Sequence, residues 1–161
     1  MIRSKDHKEN VLYVETFGGY SLIWNGERIL SGPKERDSQI IRLLEAVIHS
    51  RDKGFRRSLL QEVLFEDREI DDASHGLRTI IYNTKKKLRR AGLPEVSYII
   101  QKKGVFFWTD EIPVIEDAER FAALYEEAEN CSDREEKLVL YLEASHWYEG
   151  EFLPNQTRSE E

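Results

Sequence analysis

Between residues 11 and 108, the apolar residues follow first a strand pattern, then a helical pattern and then a strand pattern again. This order limits the folds that the chain can adopt. Residues 11–30 are rich in β-forming side chains, and Asn25-Gly26 stands between two such runs. Asn-Gly is a strong hairpin signal, because a type I′ turn needs a positive φ at both central residues. We therefore predict a small antiparallel sheet at the start of the chain.

Helical spacing of apolar residues follows the predicted sheet. It predicts a first helix over 37–50, a short second helix over 58–65 and a third helix over 72–91. The polar segment 66–72 is the predicted turn between the second and third helices. Gly92 comes directly after the third helix, where glycine commonly ends a helix.

A second hairpin is predicted over 98–108. Tyr98-Ile-Ile-Gln and Val105-Phe-Phe-Trp read as strands, and Lys102-Lys103-Gly104 between them gives the hairpin a basic tip. The order of sheet, three helices and hairpin predicts an α+β fold, a winged helix-turn-helix domain over 1–112 with an N-terminal antiparallel sheet.

The charge of the chain is divided unevenly between two parts. The formal net charge of −7 is the sum of +3 over residues 1–112 and −10 over residues 113–161. The acidic part, 113–161, shows two helical patterns that predict an all-α, TPR-like helix pair. One such pair buries too little surface to fold alone, so it must pack on the first domain or on a partner.

The predicted third helix has an apolar sector opposite a cationic one. The apolar sector, which would anchor the helix, holds Leu77, Ile80, Ile81, Thr84 and Leu88. Arginine can contact guanine O6 and N7 as a fork, and lysine neutralises phosphates. Together with the hairpin tip, the predicted DNA-binding residues are Ser74, His75, Arg78, Thr79, Tyr82, Asn83, Lys85, Lys86, Arg89, Arg90, Lys102 and Lys103.

Double-stranded DNA is the predicted partner of this surface. A basic helix face alone is often ordinary solvated surface. Here a helix-turn-helix pattern and a lysine-tipped hairpin follow one another, and no aromatic platform of the kind that RNA readers use is recognisable. The alternative is a protein interaction module whose basic face docks an acidic partner without binding DNA.

Nothing in the sequence predicts an enzyme, a cofactor or a metal site. The four histidines stand in unrelated segments, and Gly18-Gly19 lacks the surroundings of a phosphate-binding loop. No apolar run reaches the length of a membrane span, and the charged N-terminal stretch does not read as a secretion signal. We therefore predict a cytoplasmic protein without a membrane partner.

Three stretches of the sequence resemble a known family. Leu77-Arg-Thr-Ile-Ile-Tyr and Tyr98-Ile-Ile-Gln-Lys-Lys-Gly-Val-Phe-Phe-Trp resemble the recognition helix and wing of the winged-helix effector domains of bacterial response regulators. They are most similar to the version in the antibiotic-regulatory-protein (SARP) group of transcriptional activators. Trp147-Tyr-Glu-Gly-Glu-Phe-Leu-Pro154 resembles the end of the first helix pair in that group's bacterial transcriptional activator domain.

The resemblance implies a sequence-specific DNA-binding regulator of transcription, and within that group an activator. It places the third helix in the major groove and the 98–108 hairpin on the backbone or minor groove. By the same analogy, segment 66–72 would contact RNA polymerase, and a second copy of the chain on DNA is a further candidate partner. Thr84 departs from the pattern, since leucine is expected at that position of the recognition helix.

Overall fold

The computed structural model describes residues 9–17, 19–31, 38–65 and 73–149, without the side chains of 73–75. Segment 66–72, the predicted turn, lies outside the described residues. The elements are β1 (Leu12–Glu15), β2 (Ser21–Trp24), β3 (Glu27–Ser31), α1 (Ser38–His49), β4 (Phe55–Arg56), α2 (Arg57–Phe65), α3 (Ala73–Arg90), β5 (Ile99–Lys102), β6 (Val105–Trp108), β7 (Val114–Glu116), α4 (Asp117–Glu129) and α5 (Arg134–Glu149). The predicted α+β class with an N-terminal sheet is confirmed.

The chain divides into two compact units. The described parts of Met1–Ile29 and Val114–Glu161 form the first unit, and those of Leu30–Pro113 form the second. The predicted domains, 1–112 and 113–161, followed the order of predicted elements and the charge of the two parts, whereas these units follow contacts. The N-terminal strands account for the difference, because they share a unit with the acidic helices.

A four-stranded sheet, in the order β3-β2-β1-β7, carries the N-terminal strands. Asn25 and Gly26 have φ values of 48° and 87°, so both central residues of the turn between β2 and β3 are in the positive-φ region that the hairpin signal required. β7 pairs in parallel with β1, and Leu12 lies opposite Val114. No local pattern predicts this pairing, because the two strands are far apart in the sequence.

The acidic helix pair packs on this sheet, as its small size required. The shared core consists of Val11, Tyr13, Ile23, Leu124, Ala128, Leu140, Ala144 and Trp147. Strand residues and helix residues both contribute, so neither layer of this unit buries its apolar side chains without the other. Removing these side chains from water stabilises the unit by about 25 cal/mol per Å² of apolar surface buried.

A buried carboxylate ties α4 to the loop after β1. Asp117 is only 1% exposed. Its oxygens accept hydrogen bonds from the Thr16 backbone N–H at 2.9 and 3.0 Å, from the Thr16 hydroxyl at 2.7 Å and from the Phe17 N–H at 3.2 Å. The Ala118 N–H also donates to it, at 2.6 Å. A negative charge in the first turn of a helix further suits the helix dipole.

The second unit combines three helices with a three-stranded sheet in the order β4-β6-β5. α1 packs against α2, α3 and β6, and it buries Ile41, Leu43, Leu44, Val47 and Ile48. β4 was not predicted, because two residues carry no recognisable period. Gly54 precedes it with a φ of 84°, and a side chain there would overlap Val105 and Phe107. Within the described ranges, no helix is both long and apolar enough to cross a membrane.

Asp117→Ala is expected to lower the free energy of unfolding by about 3 kcal/mol, because it takes the acceptor away from the partly buried N–H donors of Thr16, Phe17 and Ala118. Urea denaturation followed by circular dichroism measures this loss. Glu127→Ala is the matched control on the same helix, because Glu127 is exposed, and it should cost less than about 0.5 kcal/mol. Equal losses in the two variants would contradict the role assigned to Asp117.

Candidate nucleic-acid interface

Helix α3 is held by the apolar sector that the sequence predicted. Leu77, Ile80, Thr84 and Leu88 are buried, with exposed fractions between 0 and 6%, and Ile81 is half-buried. The helix packs against both α1 and α2. A side-chain stripe buried along nearly the whole helix fixes its rotation about its own axis, and so fixes which residues face outward.

The C-terminal end of α3 is closed by backbone hydrogen bonds. The Leu93 N–H donates to the Leu88 carbonyl at 3.2 Å, and the Gly92 N–H donates to the Arg89 carbonyl at 3.1 Å. These two bonds, with Gly92 at a φ of 106°, are the Schellman pattern of helix termination. Leu88 and Leu93 are both buried, which supplies the apolar residues that accompany this motif. The predicted role of Gly92 is confirmed.

Thr84 fits its buried position through a local hydrogen bond. Its hydroxyl donates to the Ile80 carbonyl, four residues earlier, at 2.8 Å. Its side chain is completely buried. Because the hydroxyl is satisfied within the helix, burying it does not leave an unpaired polar group. Threonine therefore serves as a small anchor where a leucine was expected.

The outward face of α3 carries most of the predicted DNA-binding residues. Its exposed members are Arg78, Thr79, Tyr82, Asn83, Lys86, Arg89 and Arg90, and Lys85 is half-exposed. The side chains of Ser74 and His75 lie outside the described residues. We call the seven exposed side chains the α3 face. Sequence periodicity alone separated this face from the buried stripe.

The C-terminal half of the α3 face forms a shallow groove. Tyr82, Lys86, Arg89 and Arg90 line it, and its volume is about 400 Å³. The Lys86 Nζ lies 5.6 Å from the centre of the Tyr82 ring, within range of a cation–π interaction. Tyr82 is 61% exposed. The groove therefore offers an aromatic face and cationic groups together.

One acidic residue faces this cluster. Arg89 Nη2 lies 3.2 Å from Glu95 Oε2, and both side chains are largely exposed. An exposed ion pair contributes little free energy, so Arg89 can exchange Glu95 for a phosphate at small cost. This pair was not predictable from the pattern of the helix, because Glu95 lies beyond its end. The contact between Tyr82 and Lys86 was also missed, although their spacing of four residues was the available signal.

The hairpin of β5 and β6 presents the two predicted tip lysines. The strands pair from Ile99 opposite Trp108 to Lys102 opposite Val105. Lys103 and Gly104 form the turn with φ values of 51° and 77°, which fits a two-residue turn of type I′. Lys102 and Lys103 are exposed. The predicted basic hairpin is thus confirmed as a structural element.

The base of the hairpin is rigid. Trp108 Nε1 donates to the Ile112 carbonyl at 3.0 Å, and the Tyr98 hydroxyl donates to the Pro94 carbonyl at 2.6 Å. The Tyr98 and Trp108 rings stack with centres 6.1 Å apart. Burial raises the pKa of Tyr98, an effect that the nearby Arg89 charge opposes. The hydroxyl therefore keeps its proton at neutral pH and remains a donor.

Across the described ranges, no three His, Cys, Asp or Glu side chains are grouped so that they could hold a metal ion.

Comparisons with known proteins identify a similar fold. No protein-family model matches the sequence, and no curated protein matches it. Among solved structures, the chain is similar to EmbR of Mycobacterium tuberculosis, determined in complex with a low-affinity phosphopeptide, with a TM-score of 0.64 and 15% sequence identity. The match covers 88% of this chain and 36% of the EmbR chain. EmbR is a SARP-type regulator. The chain therefore shares the fold of the matched part of EmbR.

Thr84→Leu is expected to lower the free energy of unfolding by about 2 kcal/mol, because the larger side chain overpacks a fully buried position. Thr84→Val preserves the shape and removes only the locally bonded hydroxyl, so its cost should stay below about 1 kcal/mol. Thermal denaturation of the two variants measures the difference. A Thr84→Leu variant as stable as the parent chain would show that the site has room for leucine.

Proposed function

We propose that this chain is a sequence-specific DNA-binding regulator of transcription that reads the major groove with α3. The observation that carries the proposal is the α3 face, an exposed set of arginine, lysine, hydroxyl and amide groups on a helix anchored by a buried stripe. A helix whose rotation is fixed presents these groups in one defined arrangement. Base recognition needs such a fixed arrangement of side chains, because each bidentate contact depends on direction as well as distance.

The two halves of the α3 face suit different parts of the duplex. Arg78, Thr79 and Asn83 offer the donors and acceptors that contact base edges. Lys86, Arg89 and Arg90 lie toward the C-terminal end, where cations contact phosphates and fix the position of the protein. The helix thus combines base reading with backbone attachment.

The hairpin supplies a second set of backbone contacts. Lys102 and Lys103 are exposed at the tip of a hairpin whose base is buried. In the winged helix-turn-helix arrangement that we propose for this unit, such a tip meets the backbone or the minor groove beside the recognition helix. The expected contribution is affinity without sequence preference.

The similarity to EmbR supports this class of function. EmbR is a SARP-type regulator of transcription rather than an enzyme, and the match covers most of this chain. Within the proposal, activation, an RNA polymerase contact through segment 66–72 and binding of two copies to one site follow the resemblance to the SARP group. The acidic helices would then be the start of an activator module.

Binding-site selection from a random pool of duplexes tests the proposal directly. We expect enrichment of a defined sequence, and a binding constant that falls with salt at a log–log slope of about −0.9 per phosphate contacted. If no sequence is enriched and no binding occurs at about 50 mM salt, the DNA-binding proposal fails. The α3 face would then be better explained as a dock for an acidic protein.

Arg78→Ala is expected to cost about 1 to 3 kcal/mol on the selected sequence and to relax the preference at one base position. Lys102→Ala should weaken binding to all sequences alike and make the salt slope shallower by about 1. Fluorescence anisotropy with selected and scrambled duplexes at several salt concentrations measures both effects.

Arg42→Ala is the matched control for these variants. Arg42 is an exposed arginine of the same unit, but it lies on α1 and donates to the Val63 carbonyl. It should leave both the affinity and the sequence preference unchanged. If Arg78→Ala lowered binding to every duplex equally, the base-reading role of Arg78 would be refuted.

A further inference from the structure

The α4–α5 pair carries an aromatic surface that the proposed DNA contact does not use. Tyr125 and Tyr148 are 48% and 57% exposed. The Phe121 ring centre lies 6.0 Å from that of Tyr125 and 5.8 Å from that of Tyr148, and Phe17 lies 4.7 Å from Tyr148. Tyr141 extends the run, with its ring centre 5.5 Å from that of Tyr125. Aromatic side chains grouped at a surface are typical of binding sites.

A groove runs along α4 beside these rings. Phe121, Ala122 and Tyr125 line it together with Glu126, Glu129 and Asn130, and its volume is about 510 Å³. Five of the six residues lie on one face of α4, and Asn130 is the residue at which the helix ends. We call it the α4 groove. It places two carboxylates directly beside two aromatic rings.

One of the carboxylates is already held in position. The Tyr141 hydroxyl donates a hydrogen bond to Glu129 Oε2. This hydrogen bond raises the pKa of Tyr141 to about 12, so the tyrosine remains a donor at neutral pH. Because α5 provides Tyr141, the helix pair fixes Glu129 at the edge of the groove and leaves its second oxygen available to a ligand.

The charge of the helix pair decides what such a groove can attract. Residues 117–149 contain ten Asp and Glu residues against three Lys and Arg residues. A nucleic acid or an acidic peptide would be repelled, whereas a cationic group would be drawn in. An arginine or lysine side chain can lay its aliphatic stem on the rings and place its charge between Glu126 and Glu129. The same unit already holds a cation beside an aromatic ring, since the Arg120 guanidinium lies 5.7 Å from the centre of the Trp147 ring.

We propose that the α4 groove binds an arginine or lysine side chain from a basic amphipathic segment of a partner protein. The apolar residues of that segment would cover the exposed rings of Tyr125 and Tyr148. This partner differs in charge from the DNA that we propose for α3. The proposal does not depend on DNA binding, and either one can fail while the other holds.

Isothermal titration calorimetry of the full chain with a synthetic amphipathic peptide tests the proposal. The peptide has about 14 residues and places leucine and arginine on opposite helical faces. We expect saturable binding that weakens as salt increases, because exposed charges are screened. A peptide with glutamate in place of every arginine should not bind. Equal binding of the two peptides would overturn the proposal.

Substitutions in the groove locate the binding site. The double variant Glu126→Gln, Glu129→Gln keeps the shape of the groove and should weaken peptide binding about fivefold. Tyr125→Leu keeps an apolar side chain but removes the ring, and should weaken it about threefold. The control Glu127→Gln removes the same charge from an exposed position of α4 that does not line the groove. It should change the affinity less than twofold, since only long-range attraction is lost.

Two further results would overturn the proposal. One is an equal loss of affinity in Glu127→Gln and in the double variant, which would indicate general attraction to an acidic surface. The other is concentration-dependent self-association that the double variant abolishes, measured by sedimentation, which would make a second copy the occupant. Circular dichroism and thermal midpoints that match the parent chain show that the variants are folded. Anisotropy with duplex DNA, which we expect to be unchanged, separates this test from that of the α3 face.

Discussion

The burial of the apolar stripe of α3 against α1 and α2 is the constraint on which the candidate nucleic-acid interface depends. Leu77, Ile80 and Leu88 remove their side chains from water, and this burial sets the rotation of the helix. The cations on the opposite side then face outward, where their contacts are exposed ones, such as the Arg89–Glu95 ion pair and the contact of Lys86 with the Tyr82 ring. The end of the helix is fixed in the same way, because the turn at Gly92 returns Leu93 to the core. The packing of the buried side of α3 thus determines which residues form the α3 face.

Much of the second unit could be predicted from the sequence, because its elements are defined by local signals. The α3 helix follows from a period of 3.6 residues, its end from Gly92, and the β5–β6 hairpin from two β-forming runs around Lys102-Lys103-Gly104. The features that were missed depend on distant residues. Strand β4 is too short to show a period, and Glu95 meets Arg89 only after the chain has turned. The residues of the candidate site could therefore be predicted from local patterns. The residues that contact them from other parts of the chain could be identified only in the folded structure.

In the first unit, fewer features could be predicted from the sequence, because more of them depend on distant residues. The Asn25-Gly26 turn was predictable because two positive φ values restrict the residue types. The pairing of β1 with β7 was not, and neither was Asp117, which reads in the sequence as one more acidic residue of an acidic segment. In the structure it is almost fully buried and collects N–H donors from a loop about one hundred residues earlier. A charge count cannot separate such a structural carboxylate from those that remain in water.

The acidic helix pair contains both a buried carboxylate, Asp117, and exposed ones, and the two kinds have different effects. Asp117 has its charge satisfied by N–H and hydroxyl donors, so it contributes to stability and is not available to a partner. Glu126 and Glu129 are exposed beside aromatic rings, where desolvation by a partner strengthens their attraction for a cation. The net charge of −7 therefore does not describe one surface. It averages a cationic helix face and an acidic groove, which is why the two partners that we propose for them, DNA and a basic segment, are opposite in charge.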